Sequence, residues 1–267
     1  MDRRSQIMQG STVKVRDVGV LLGIAIDRKS LEIIIEDALA AVDRKREPVV
    51  FACANPHSLV VAQNDLIFKE ALNNANLVVA DGVGITMMAR YARVSVGPRI
   101  AGHDYFRAVL GALERRGSGR VFFFGSTPHV LALLKDRFKR DFPSLTLCGV
   151  LSPPFGVWSE DENAVMVEAI HAARPDVLWV GMTAPKQEKW VEANRGQLDV
   201  SVIGSIGAVF DFYAGTYPRA PGWMCKLGME WLFRLIKEPR RMWHRNFVSS
   251  PKFVLLVVWR HILRFPY

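Results

Sequence analysis

The 267-residue chain is short of the features that mark several large protein classes. Its three cysteines, Cys53, Cys148 and Cys225, show no Cys-x-x-Cys spacing. So sparse and odd a set argues against a disulfide framework or a structural zinc site, and points to a reducing, cytoplasmic setting. His57, His103, His129 and His171 have no spacing that suggests metal ligation. No Asp-x-Asp triplet occurs, so the motif with which many enzymes hold a metal–nucleotide complex is missing. The longest late apolar run, residues 253–259, is closed by Arg260 and His261. A spanning helix needs about 20 apolar residues, so this run is too short to span and suits the interface. The opening MDRRSQIMQG has cations but no apolar core followed by small residues, and no secretory signal is expected. Internal repeats and low-complexity segments are absent as well.

What is present is apolar substance and alternation. Half the residues are hydrophobic, enough for a substantial core and too many for a disordered chain. Strand-like runs at 18–26, 49–54, 77–80, 120–124, 146–151, 177–181 and 200–203 alternate with helical patterns. The helical patterns begin near Leu31, Pro56, Gly84, Asp104, Pro128, Glu160 and Pro185. Alternation on this scale predicts βαβ units and a Rossmann-like, mainly parallel α/β sheet with helices on both faces. The expected division is a catalytic domain over 1–215 and an appendage over 216–267.

Sheets of this kind bind ligands beyond the carboxyl ends of their strands, which selects positions directly. Asp81 ends an apolar strand and precedes Gly82-Val83-Gly84. It is placed either to take a proton from a ligand hydroxyl or to cap the next helix. Gly82-Val83-Gly84 also begins like a dinucleotide fingerprint, but Met87 occupies the third glycine position. Asn55, before Pro56, can donate to and accept from sugar hydroxyls, or serve as a turn residue. Gly125 and Ser126 open a strand-to-helix turn whose amides suit a diphosphate, and an ordinary turn would look the same. Lys186 could offset phosphate charge and Gln187 offers paired donor and acceptor groups. The alternative for this stretch is a solvated first turn, in which Glu188 favours the helix N-terminus. Asp211, in the apolar run Ala208-Val209-Phe210-Asp211-Phe212, needs a ligand or a buried hydrogen-bonding partner.

Charge is concentrated at one end. Residues 219–267 hold ten Lys/Arg and two Asp/Glu, a net of +8 out of the chain's +9. Trp223, Trp231, Phe233, Trp243 and Phe247 interleave with these cations. Basic, Trp-rich amphipathic helices suit an anionic membrane surface or a phosphorylated ligand. Arg219, Arg234, Arg240 and Arg241 are the phosphate candidates, because guanidinium forks bind phosphate oxygens in pairs. A nucleic-acid-binding tail is the alternative from another class, although residues 232–236 and 253–259 are more apolar than that needs.

Several ordered motifs carry a family resemblance over roughly residues 18–245. They are Asn-Pro at 55–56, Ala-Asp-Gly-Val-Gly at 80–84, Pro-Lys-Gln-Glu at 185–188, Phe-Asp-Phe-Tyr-Ala-Gly at 210–215, Arg-Ala-Pro at 219–221, Glu-Trp-Leu-Phe-Arg-Leu at 230–235 and Glu-Pro-Arg-Arg at 238–241. The chain resembles the WecG/TagA/CpsF glycosyltransferases. The resemblance implies an inverting, metal-independent enzyme that needs no cofactor. It would move a sugar from a UDP-sugar to a polyprenyl-diphosphate-linked sugar at the cytoplasmic face of the bacterial inner membrane. It implies Asp81 as general base, with Asn55 and Gln187 orienting the sugars. Gly125, Ser126, Lys186 and Asp211 fall on the donor nucleotide. Arg219, Arg234 and Arg241 fall on the acceptor diphosphate, together with Cys53, where family members often carry Thr. The xanthan-type exopolysaccharide subgroup, which transfers glucose, is one branch the chain could join; teichoic-acid and enterobacterial-antigen members transfer N-acetylmannosamine-type sugars.

Overall fold

The computed structural model describes residues 16–44, 48–218, 220–226 and 228–263. Its strands are β1 (Val18–Leu21), β2 (Ile24–Asp27), β3 (Val49–Ala54), β4 (Leu77–Ala80), β5 (Arg120–Gly125), β6 (Thr146–Leu151), β7 (Val177–Gly181) and β8 (Val202–Ser205). Six of them form one sheet in the order β4-β3-β8-β7-β5-β6, with every neighbouring pair parallel. The four inner strands read VVFACA, RVFFFG, VLWVG and VIGS and are largely buried, as a sheet covered on both faces requires.

Alternate side chains feed two cores. On one face Phe51, Val121, Phe123 and Trp179 pack against the helices Leu31–Arg44, Gly102–Arg116, Pro128–Asp141 and Val209–Ala214. On the other, Ala52, Phe122, Leu178 and Ile203 meet the helices Pro56–Val61, Leu66–Asn74, Val83–Tyr91, Glu160–Ala173 and Lys186–Asn194. Trp179 is fully buried at the sheet centre, edge-on to Phe106 at 5.1 Å and to Tyr105 at 5.7 Å. Its six-membered ring lies over Gly204 of β8, where a Cβ would come within 2.3 Å of it.

Two elements differ from the sequence expectation. Residues 18–26 form a hairpin, β1–β2, rather than one strand. Leu22 and Gly23 turn it with φ of +52° and +76°, the doubly positive turn that tight hairpins favour. The hairpin stands outside the large sheet and covers its β4 edge. There the buried Asp27 carboxylate accepts from Val78 N (2.7 Å) and pairs with Arg16 (2.6 Å). The helical pattern that begins near Pro56 is two helices, Pro56–Val61 and Leu66–Asn74. The second is capped by Asp65, which accepts from Phe68 N at 3.0 Å.

Beyond Gly215 the chain forms the helices Gly222–Lys226, Glu230–Lys237, Pro239–Trp243 and Ser250–Val257. Wider, π-type turns run over His244–Ser249 and Val258–Ile262. This appendage packs on Pro56–Val61 and buries Phe253 and Val257 in the second core. Its far end is fastened to the hairpin, where Leu22 N donates to His261 Nε2 at 3.0 Å, and Arg260 bonds Gln63. No helix among the described residues is long and apolar enough to cross a membrane.

The Trp179–Gly204 contact gives a direct check on the fold. Gly204→Ala is expected to lower unfolding free energy by about 1–3 kcal/mol through overpacking, read by denaturant titration. An unchanged midpoint would mean that the sheet centre is looser than described.

Candidate active site

The sheet order puts β3 beside β8. The chain leaves β3 outwards to β4 and reaches β8 from β7 on the other side, so a crevice opens between the carboxyl ends of β3 and β8. Two cavities occupy it. The larger, about 490 Å3, lies under the appendage. Met87, Met88, Met242, Phe253 and Val254 make its apolar wall; Asp81, Arg99, Arg234 and Arg245 contribute charge. The smaller, about 110 Å3, sits over the strand ends and is lined by Cys53, Thr183, Gln187, Glu188, Ser205 and Gly207, among others. Asn55, Asp81, Glu230, Arg234 and Arg245 line both.

Asp81 directly follows β4, and its N–H donates to Ala54 O at 2.8 Å. The next helix is led by Gly82, at φ +95°, with no side-chain cap. Asp81 therefore does not cap that helix, and its carboxyl borders both cavities. Burial, reinforced by Glu230, raises it to about 6, while Arg234 and Arg99 pull the other way. Glu230 lies 3.8 Å from Arg99.

Around Asp81 the polar groups divide by task. Asn55 caps Pro56–Val61, its Oδ1 accepting from Ser58 N at 2.9 Å. Gln187 is buried, and its Oε1 accepts from Gly207 N (3.0 Å) and Met182 N (3.3 Å). It thus ties the loop after β7 to the turn after β8. Its Nε2 donates to Glu188 Oε1 at 2.8 Å. Glu188 is not in a solvated first turn, as one sequence alternative had it. It is buried, and desolvation lifts it to about 7 against the Gln187 hydrogen bond and Arg245. Burial and the nearby Asp81 and Glu188 push the Cys53 thiol well above its usual range, so it is a neutral thiol at any ordinary pH. Arg234 lies over the Phe212 ring at 5.4 Å, with Nε buried. His57 Nδ1 bonds Ser249 Oγ at 2.8 Å, and burial with the nearby Arg245 and His244 lowers it to about 4, so it is neutral. No group of three or more His, Cys, Asp or Glu that could hold a metal ion is found among the described residues.

The positions assigned from sequence to the donor lie outside both cavities. Gly125, at φ +119°, packs against Gly181, and Ser126 N already donates to Gly181 O at 3.0 Å. Lys186 Nζ is 2.6 Å from Gly156 O and sits over the Trp158 ring. Asp211 lies in the helix Val209–Ala214, and its backbone carbonyl accepts from Gly215 and Tyr217 N–H groups. Arg219 and the side chain of Arg241 lie outside the described residues, and Arg240 is exposed.

Sequence reasoning missed Arg245, Glu230 and Ser205. Arg245 sits in the π-type turn His244–Ser249, a feature frequent at functional sites, but in sequence it is one more cation in a basic run. Glu230 was legible only as part of a motif, and Ser205 as a small residue at a strand end.

The raised Asp81 carboxyl has a signed consequence. Folded, it keeps its proton up to about pH 6, whereas its ordinary value is 3.8. The folded state therefore holds more protons in that window, and this site's contribution to stability falls as pH rises through it. Asp81→Asn is expected to stabilise the protein above pH 6 by up to about 2 kcal/mol, less than the full shift implies because solvent still reaches the group. The gain should fade towards pH 4. Paired denaturation curves across that range measure it, and a pH-independent difference would refute the burial of this charge.

The comparisons with known proteins agree with this architecture. The model of the family described as "Glycosyl transferase WecG/TagA/CpsF family" matches residues 20–265. Several relatives carry the name N-acetylglucosaminyldiphosphoundecaprenol N-acetyl-beta-D-mannosaminyltransferase, three of them as follows. The one from Bacillus subtilis (strain 168) is 30% identical over 217 residues, 81% of each chain. The one from Bacillus spizizenii is 31% identical over 205 residues, 77% of each. The one from Staphylococcus aureus (strain MW2) is 24% identical over 223 residues, 83% of this chain and 85% of the relative. A parallel α/β sheet, a crevice at the ends of β3 and β8, and a match over nearly the whole length place the chain in the WecG/TagA/CpsF family of glycosyltransferases.

Proposed function

We propose that the chain moves N-acetylmannosamine from its UDP-activated form to N-acetylglucosamine carried on a polyprenyl diphosphate, in synthesis of a bacterial surface polymer. The observation that carries this is the carboxyl of Asp81, raised to about 6 and shared by both cavities. A base working near neutral pH is best matched by such a value, and it stands where two substrates held in adjoining spaces would meet. The names of the relatives favour the N-acetylmannosaminyl donor; glucose remains the other arm of the test.

In this reaction an acceptor hydroxyl oxygen attacks the donor anomeric carbon as its proton passes to Asp81. The bond from that carbon to the diphosphate oxygen breaks, and UDP leaves with the electron pair, inverting the configuration. Asp81 afterwards releases its proton to solvent. The larger cavity suits the lipid-linked substrate, with Arg234 and Arg245 offsetting the diphosphate and the methionine and Phe253 wall meeting the first isoprene units. Asn55, Gln187 and Cys53 shape the sugar space. The nucleotide would run across the ends of β5, β7 and β8, near Gly125, Ser126, Lys186 and Asp211. Arg219 and Arg241 are further diphosphate ligands in this scheme. Chain cations and amides stabilise the leaving diphosphate, so no metal is required.

The appendage suits a peripheral seat on the anionic cytoplasmic leaflet. Trp223, Trp231, Trp243 and Trp259 are all about half exposed, beside exposed Lys237, Arg240 and Lys252. Aromatic and basic side chains presented together favour an anionic interface.

Transfer from a panel of UDP-sugars, including UDP-N-acetylmannosamine and UDP-glucose, to a short-chain polyprenyl-diphosphate-linked N-acetylglucosamine tests the scheme. One donor should be used, with activity kept in EDTA and rising with pH through about 6. Asp81→Asn should lower kcat by about 100-fold or more. Arg245→Ala should raise the acceptor KM about tenfold or more, and anionic vesicles should carry the protein in flotation. No transfer with any pair, together with tight, steeply salt-dependent nucleic-acid binding, would overturn the scheme.

A further inference from the structure

The transfer scheme leaves two groups of the smaller cavity without a task. Glu188 is 5% exposed and Ser205 is 1% exposed. Glu188 commits Oε1 to Gln187, while its Oε2 is buried with no hydrogen-bond partner among the described residues. Ser205 Oγ is in the same condition. Both residues line the smaller cavity. Buried polar atoms are seldom left unpaired in native interiors, so two in one small cavity point to an occupant that pairs them.

Their supports are rigid. Ser205 is the last residue of β8, paired with Val180 of β7. Glu188 lies in the first turn of Lys186–Asn194, held by the Gln187 amide that also ties Gly207 and Met182. Groups held on fixed elements are suited to discriminating among ligands. The occupant's chemistry follows from theirs. A carboxylate oxygen accepts from hydroxyl or amide N–H groups, and a serine hydroxyl both donates and accepts. The wall sets three carboxyls, Asp81, Glu188 and Glu230, against two guanidinium groups, Arg234 and Arg245, so beside Glu188 and Asp81 an anion such as a phosphate is disfavoured, and a neutral, hydroxyl-rich ring fits.

We propose that Glu188 and Ser205 are specificity-determining residues that hold the ring hydroxyl or acetamido groups of a pyranose in the smaller cavity, beside Asp81. This rests on the glycosyl-transfer reading above. The ring belongs either to the donor sugar or to the lipid-linked acceptor sugar, and the experiment separates them.

Transfer is measured for wild type, Ser205→Ala and Glu188→Gln, varying donor and acceptor separately. Each substrate is supplied intact and in forms lacking one hydroxyl or the acetamido group. We expect the KM of one substrate to rise about tenfold in each variant while the other stays within about twofold. The substrate whose KM moves identifies the ring. Wild type should reject one analogue about tenfold, and Ser205→Ala should no longer distinguish it from the parent, which a merely structural role would not produce. Unchanged KM values and unchanged discrimination in both variants, with transfer proceeding, would overturn the assignment and leave the transfer scheme standing. Saturation-transfer NMR with the same UDP-sugars and N-acetylglucosamine needs no turnover. A sugar contact present in wild type and lost in Ser205→Ala supports the assignment even if no transfer is found. No contact in wild type overturns it.

Discussion

A parallel sheet covered on both faces has no side entrance, so chemistry has to happen at the ends of its strands. In this chain that constraint acts through the adjacency of β3 and β8. The two strands meet without a crossover helix between their carboxyl ends, and the residues there define the site. Cys53 and Asn55 come from the end of β3, Asp81 from the end of neighbouring β4, and Ser205 from the end of β8. The spacing among these ends is kept by Gln187, whose single oxygen receives two backbone N–H groups from different loops.

Placing acids in such a crevice requires compensation. Asp81, Glu188 and Glu230 share the space with Arg99, Arg234 and Arg245. Two of the three arginines, and one of the acids, come from the appendage. The appendage is thus an electrostatic half of the site as well as its roof. It also sorts its cations. Arg234 and Arg245 turn towards the cavities, while Lys237, Arg240 and Lys252 stay in solvent beside exposed tryptophans. One basic segment therefore presents cations both to the cavities and to the outer surface.

The parallel sheet was legible because its inner strands are unbroken apolar runs whose length and spacing leave few alternatives. The hairpin at 18–27 was not, since Leu22 and Gly23 are apolar enough to hide a turn that depends on backbone angles. Asp81 was selected by the strand-end rule, and only the structure decided between capping and cavity. At Asn55 both hold, since it makes the capping bond and also lines the two cavities. Glu188 looked like a surface acid at a helix start because nothing local reveals that the appendage and β8 close over it. Arg245 could not be told from Arg240 because burial on an irregular helix is set by the π-type turn, which has no sequence signature.

The roof of the larger cavity is built from residues of the appendage far downstream of Asp81, with Arg245 and Phe253 among them. Chains leave the ribosome N-terminal part first, at about 5–20 residues per second. The strand ends and their carboxyl are therefore synthesised well before anything covers them. An unfinished chain has a floor without a roof, and its acids lack two of their balancing arginines. Completion of the larger cavity is thus coupled to completion of the polypeptide.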